Sequence, residues 1–554
     1  MVHWMLGRRR VSATLSVLVL ALAVTIAAVT ASAIASPSGT GSNLKRQQFA
    51  QHILKTKAAQ LMTAPAQAAL RIMATGDKQF TAGTLPSHPA RLASGSAAPA
   101  ATAAGNFTNV RVNDPSLDTH QVDQTTQSET TIAVAGSNVA VGYNDSQQTG
   151  LFLTAGSDLT GYSYSRDGGK SFTDGGDLPN TREFVNFGDP WMASDRTGAM
   201  YYSTLALDFF NGNLDVAVAK SHNGGKTWGN PVPVFRPPVS VFYNADKDSV
   251  ASGPDPTVKR RDDIYAAWDD FSFDSITGAA FSGLPVAHST DGGATWHVVY
   301  ADKFNFPQTG CSFQQYIGAL PIVDRQHGTL YVTAEKIAVT DPKCTGTAPV
   351  HLSESIFRST DGGKTFGHGV KIANVTQAFP DELLFLGPGR YMRAAEFPTI
   401  ALHGNAIDVA WNDGAQGKSH IRLATSTNGG KTWSVSFATH GAGNEVQPAL
   451  SADRTGIHLL YYQRNRNNSL DVLVGNSSNG ASFATRRVTT RSFRGSLTVP
   501  QFDPIIAFGY MGDYIANVSN GSHEFFAWGD NRNRVTDFLY PNGRNDPNVF
   551  FATH

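Results

Sequence analysis

Acidic side chains recur along this chain where strands are expected to begin or end, and pairs of them would support proton-transfer chemistry. At strand-like starts stand Glu129, Asp189, Asp248, Glu396 and Asp513, with Gln447 once in the same place; at the ends stand Asp145, Asp269, Asp270, Asp413 and Asp530. Arg393, Arg464, Arg532 and Tyr510 lie nearby in sequence. Crowded carboxyl groups push one pKa up, so that one acts as acid while its neighbour stays ionised as base or nucleophile. Asp189, Glu396 and Asp513 are the candidates for that work. Glu129, Arg393, Asp413, Arg464, Tyr510, Asp530 and Arg532 are the candidates for ligand binding. The same residue types also have a structural use, because acids at strand starts accept backbone N–H groups and Trp-x-Asp endings cap strands. No Asp-x-Asp-x-Asp-Gly calcium loop occurs; no cofactor is required, and Ca²⁺ is the cation a ring of carboxylates would take.

The elements that must position these groups are announced by an internal repeat. Ser359-Thr-Asp-Gly-Gly-Lys-Thr-Phe366 has near-copies beginning at Ser165, Ser221, Ser289 and Ser426, with a weaker one at Asn476. Successive starts among the strong copies are 56 to 70 residues apart, enough for a four-stranded sheet and too long for a helical hairpin. Each copy sits between alternating apolar runs and carries what a tight turn needs. Paired glycines accept positive φ, Asp167, Asp291 and Asp361 or Asn223 and Asn428 supply an acceptor oxygen, and a closing Trp or Phe can bury its ring. Asn replaces Asp in two strong copies, so the position calls for an acceptor more than a charge, and the turns read as structural.

This pattern resembles the Asp-box, or BNR, repeat of the sialidase superfamily. The resemblance implies an all-β fold, a β-propeller over residues 107–554, acting on or binding extracellular glycans. Six strand-rich units precede the boxes and a seventh follows, short of one strand that Asn109–Val112 would supply. Seven blades are therefore expected, with six as the alternative. An up-and-down blade puts strand-one starts and strand-two ends on one face and the boxes on the other, so the acids are expected to ring an axial opening. The chain departs from catalytic sialidases, because the Phe/Tyr-Arg-Ile-Pro motif is missing and Glu129 stands where the family uses an arginine. Arg393, Arg464 and Arg532 could build another carboxylate clamp. Two readings remain: a sialidase-like exo-glycosidase, or a non-catalytic cell-surface propeller binding carbohydrate or protein.

The ends and the composition set the compartment. Arg8, Arg9 and Arg10 precede a run without charge that lasts until Lys45, which reads as a signal peptide or membrane anchor over residues 1–37 and an extracytoplasmic, secreted or cell-surface body. Residues 38–106 read as a partly helical segment followed by an Ala/Ser/Thr-rich linker. With 44 basic and 44 acidic residues, nothing favours a nucleic-acid partner, and membrane contact is expected only through the N-terminal segment. The two cysteines, Cys311 and Cys344, are expected to form one disulfide in an oxidising compartment.

Overall fold

The computed structural model describes residues 40–56, 59, 64–75, 107–117, 127–146, 158–208, 212–305, 311–345, 347–379, 382–388, 390–495, 511–536 and 541–554. Residues 1–37, the expected linker and Tyr510 lie outside them. The chain divides into Met1–Leu44 and Lys45–His554, and every sheet belongs to the second unit.

That unit is nearly all β, as expected. Five of its sheets each hold a four-stranded antiparallel run, and a nine-stranded sheet holds two more, joined by a single parallel pairing of Asn244 with Leu214. We number these runs in chain order. The first strands of sheets one to six begin at Gln127, Trp191, Val241, Phe313, Thr399 and Asn444. Sheet seven consists of Ala516–Asn520, His523–Val535, Arg544–Thr553 and, as its outer strand, Val110–Arg111 from the other end of the chain. The expected loan of a strand by the N-terminal side is thus present. Asn113 locks it: its Oδ1 accepts Val549 N–H at 2.9 Å and its Nδ2 donates to Asn548 at 3.1 Å.

Each first strand packs beside the next from sheet one to sheet seven, and that of seven lies against that of one. The apolar core is correspondingly layered between neighbouring sheets. Tyr265 and Val332 meet between three and four, Ile356 and Trp411 between four and five, Leu423 and Leu459 between five and six, and Val141 and Phe551 between one and seven. Alternating apolar residues on both faces of a strand account for this, since each sheet is covered on both sides.

The repeated turns join third and fourth strands. At the first, Ser165 Oγ donates to Asp167 Oδ1 at 2.7 Å, Asp167 accepts Lys170 and Ser171 N–H at 2.9 and 3.0 Å, and Ser171 Oγ donates to it at 2.6 Å. In the Asn versions the amide oxygen still accepts, as Asn223 Oδ1 does from Thr227 N–H at 3.0 Å, but the second bond reverses, Asn223 Nδ2 donating to Thr227 Oγ1 at 2.8 Å. The turn meets the opposite end of the sheet from Gln127, because Gly168 N–H donates to Ser137 at the turn between strands one and two. Gly169, at φ 87°, lies against Phe551 of sheet seven, where an added Cβ would stand 2.2 Å from the ring.

Two helices precede the sheets: α1, Thr40–Ile53, and α2, Ala64–Thr75. Phe49 stacks on Phe273 at 4.7 Å, Ile53 and Leu70 are fully buried, and Asn244 Nδ2 donates to Ala66 O. The helical part of this segment packs on sheet three. Cys311 and Cys344 are disulfide-bonded with Cα atoms 4.9 Å apart, and such a link is worth about 3–4 kcal/mol on the chain-entropy model.

Gly168 and Gly169 separate backbone strain from packing. Gly168, at φ 77°, has nothing within 4 Å of an added Cβ, so Gly168→Ala is expected to cost about 1 kcal/mol of unfolding free energy. Gly169→Ala adds a clash with a buried ring and is expected to cost about 2–3 kcal/mol more. Denaturant titration of both variants checks this, and equal losses would contradict the packing of sheet one on sheet seven.

Candidate functional site

Strands that converge on an axis must bend where they meet, and in six of the seven sheets the bend falls on one left-handed residue in or just before the first strand. Register shifts interrupt the pairing of first and second strands between Ser128 and Thr131, Asp246 and Ser249, Ile317 and Leu320, and Val446 and Ala449. At or beside these bulges, and at the matching points of sheets two and seven, the backbone is left-handed: Glu129, Asp189, Lys247, Gly318, Gln447 and Gly512 have φ of 54, 54, 45, 71, 51 and 85°. Left-handed conformation is costly for residues other than glycine and persists where surroundings enforce it. Here the enforcement comes from the preceding sheet. Asn144 Oδ1 accepts Asp189 N–H at 2.9 Å, Asn412 Oδ1 accepts Gln447 N–H at 3.3 Å, and the Asp269 carboxyl accepts Gly318 N–H. These three acceptors occupy equivalent places near the ends of second strands.

The first strands enclose an axial cavity of about 170 Å³ to which all seven sheets contribute. Trp191, Lys247, Phe397, Gln447, Asp513 and Tyr514 line it. Tyr514 OH reaches Pro190 O at 2.8 Å, and its ring lies 5.3 Å from that of Trp191. Aromatic faces and hydrogen-bonding groups together suit a small polar ligand with apolar faces.

The acids form two buried groups. In the first, Glu129 accepts Asp513 N–H and Asn144 Nδ2, both at 3.0 Å, and Asp513 pairs with Arg393 at 3.0 Å. Asp189 is fully buried, and among the described residues neither carboxyl oxygen has a hydrogen-bond partner. Burial, and then Glu129, Asp246 and Asp248, push its pKa well up, while Lys247 pulls it down. Burial lifts Asp248 to about 8 against the Ser203 hydroxyl and Lys247. In the second group, Glu335 and Glu354 face each other directly across two strands of sheet four, and Glu396 comes from the side of sheet five. Burial raises all three first; repulsion adds to it, from Glu382 on Glu335, from Glu335 and Glu396 on Glu354, and from Glu335 and Glu382 on Glu396. Glu396 accepts Ala378 N–H at 2.8 Å through one oxygen.

The other predicted residues are engaged in the framework. Asp413 accepts Ala415 N–H at 2.8 Å and Thr376 N–H at 3.1 Å, and Asp530 accepts Trp528 Nε1 and Arg532 N–H at 2.9 and 2.8 Å. Arg532 binds Asp530 and reaches Asn109 at 2.9 Å, clasping the chain ends, while Arg464 binds Asn468 at 2.5 Å. Arg393 sits between Glu382 and Asp513, each at 3.0 Å. No arginine lines the axial cavity among the described residues. Nor do any three His, Cys, Asp or Glu side chains there converge as a metal site. Lys247, Trp191 and Tyr514 are not legible as site residues, since nothing in their local sequence marks them as axial. Asn144, Asp269 and Asn412 do carry a sequence signal, each being the polar residue directly before the closing Asp.

No protein-family model matches this chain, and no curated protein matches it. Among solved structures it resembles an α-L-arabinofuranosidase of Fusarium graminearum bound to arabinobiose, at 10% identity over 81% of this chain and 98% of the other, with a TM-score of 0.40. It also resembles the endosialidase of phage phi92, at 9% identity over 81% and 69%, TM-score 0.41. An ulvan lyase matches at 11% identity over 65% and 80%, TM-score 0.42. Overlaps of this extent carry no argument about fold or activity.

The raised carboxyls fix the sign of the pH dependence. An unfolded Asp titrates near 3.9, and Asp248 titrates at about 8 when folded, so the folded state holds its proton more tightly. Its stabilising contribution is full below about pH 4 and is lost as pH rises toward 8. Asp248→Asn is expected to flatten this decline and to gain relative to wild type at pH 8–9 in thermal unfolding. A variant whose deficit grows with pH would contradict the assignment.

Proposed function

We propose that the Lys45–His554 unit is a seven-bladed β-propeller that engages extracellular glycans at its axial cavity, with residues 1–37 directing export. The reading rests on one observation above others: first strands from all seven sheets share a cavity that sets Trp191 and Tyr514 beside Gln447, Asp513 and Lys247. Sugars present C–H faces for rings and hydroxyls for polar groups, which is the mixture such a lining offers. Packing of sheet seven against sheet one supports seven blades over six. The Asp-box resemblance and the Arg8–Arg10 leader pattern support a propeller and export. The absence of arginine from the described lining argues against a sialic-acid clamp.

Hydrolysis of the bound glycoside is the second reading, favoured by the contrast between Asp189, buried and held protonated, and Asp513, ion-paired with Arg393. Asp189 would then supply the proton and Asp513 the base.

Binding of a glycan panel to the purified unit tests the proposal. Trp191→Ala or Tyr514→Ala is expected to weaken affinity by roughly two- to tenfold, the range of about 0.5–1.5 kcal/mol for an aromatic contact. Unchanged affinity in both would place the ligand elsewhere. A fluorogenic glycoside screen with Asp189→Asn and Asp513→Asn separates the two readings, since turnover by wild type that is lost in both variants marks an enzyme.

A further inference from the structure

Lys247 occupies the left-handed bend of the first strand of sheet three and lines the axial cavity, yet only 4% of it is exposed. Its Nζ lies 3.6 Å from the centroid of the Tyr514 ring and 4.8 Å from that of Trp191. The rings attract the charge but offer no in-line acceptor. Among the described residues Lys247 Nζ makes no hydrogen bond or ion pair. A buried ammonium with three unused donors is unfavourable unless something in the cavity accepts from it.

The surrounding acids do not fill that role. Asp246 Oδ1 accepts the backbone N–H of Lys247 at 2.9 Å. Burial raises Asp189, Asp248 and Asp269, which favours their neutral forms. Asp513 is paired with Arg393, and Glu129 is held by Asn144 and the Asp513 N–H. Gln447 donates through Nε2 to the carbonyls of Arg393 and Gly512 at 2.9 and 2.6 Å, while its Oε1 has no donor. The cavity thus offers one cation and, beside it, an acceptor suited to a sugar hydroxyl.

We infer that Lys247 is the specificity-determining residue of this cavity and selects a sugar bearing an oxyanion, either a uronate carboxylate or a sulfate ester, over its neutral counterpart. This rests on the glycan reading above. The ammonium pairs with the oxyanion while the sugar ring lies against Trp191 and Tyr514.

The test uses matched pairs: polygalacturonate against its methyl ester, and a sulfated galactan against its desulfated form, titrated calorimetrically into wild type and Lys247→Met. Methionine keeps an unbranched stem between the rings and removes the charge. Wild type is expected to bind one acidic member at least about tenfold more tightly than its neutral partner, and the pair that responds identifies carboxylate or sulfate. Lys247→Met is expected to abolish the preference, acidic and neutral members of each pair then binding alike. Should Lys247→Met fail to fold, the wild-type preference must still fall as salt rises from about 50 to 500 mM. Equal affinity within every pair, a preference that survives Lys247→Met, or one that ignores salt would overturn the inference and leave the glycan reading standing. Binding to no member of either pair would overturn both.

Discussion

One hydrogen bond recurs between neighbouring sheets, and the site depends on it: a side-chain oxygen near the end of a second strand accepts the N–H of the left-handed residue where the next first strand bends. Asn144 with Asp189, Asp269 with Gly318, and Asn412 with Gln447 are its instances. The bond fixes two things at once. It sets the height of one sheet against the next, and it holds a backbone conformation that a residue other than glycine would otherwise leave. Because the side chain on that residue is aimed by the bend, the bond also decides what enters the axial region.

The consequence is a division of labour among acids that look alike in sequence. Those closing Trp-x-Asp, such as Asp413 and Asp530, accept nearby backbone and indole N–H groups, and Asp413 ends its strand. Asp189, at a bend, is buried without such satisfaction, and burial pushes its pKa and that of Asp248 up. Burial without partners is unfavourable for a carboxylate, and neutralisation by proton uptake relieves it. Lys247, a cation beside Asp189, Asp248 and Asp269, whose carboxyls burial raises, is then left to meet a ligand.

Whether a feature is legible in sequence depends on how far apart its residues lie in the chain. The turn at Ser165–Phe172 is a conversation among contiguous residues, so its glycine pair, its acceptor and its hydroxyls can be read from their order. The outer strand from Val110–Arg111 is legible because sheet seven is visibly short of one. The axial residues are not, because the bends hold Glu129, Asp189, Lys247, Gly318, Gln447 and Gly512, a set with no common chemistry and hence no visible period. What they share is a φ sign, which for Asp189, Gly318 and Gln447 is held by a residue from the preceding sheet. The docking of Phe49 on Phe273 is equally hidden, since an aromatic in a short helix does not declare its partner more than two hundred residues away.

The most direct measurement is a crystal structure of the Lys45–His554 unit grown with a bound oligosaccharide. The account predicts sugar density in the axial cavity, beside Trp191 and Tyr514 and within hydrogen-bond reach of Lys247 Nζ, with the Gly-Gly turns untouched. Density confined to the turn face, or to the outer groove between Phe235 and Trp296, would contradict it.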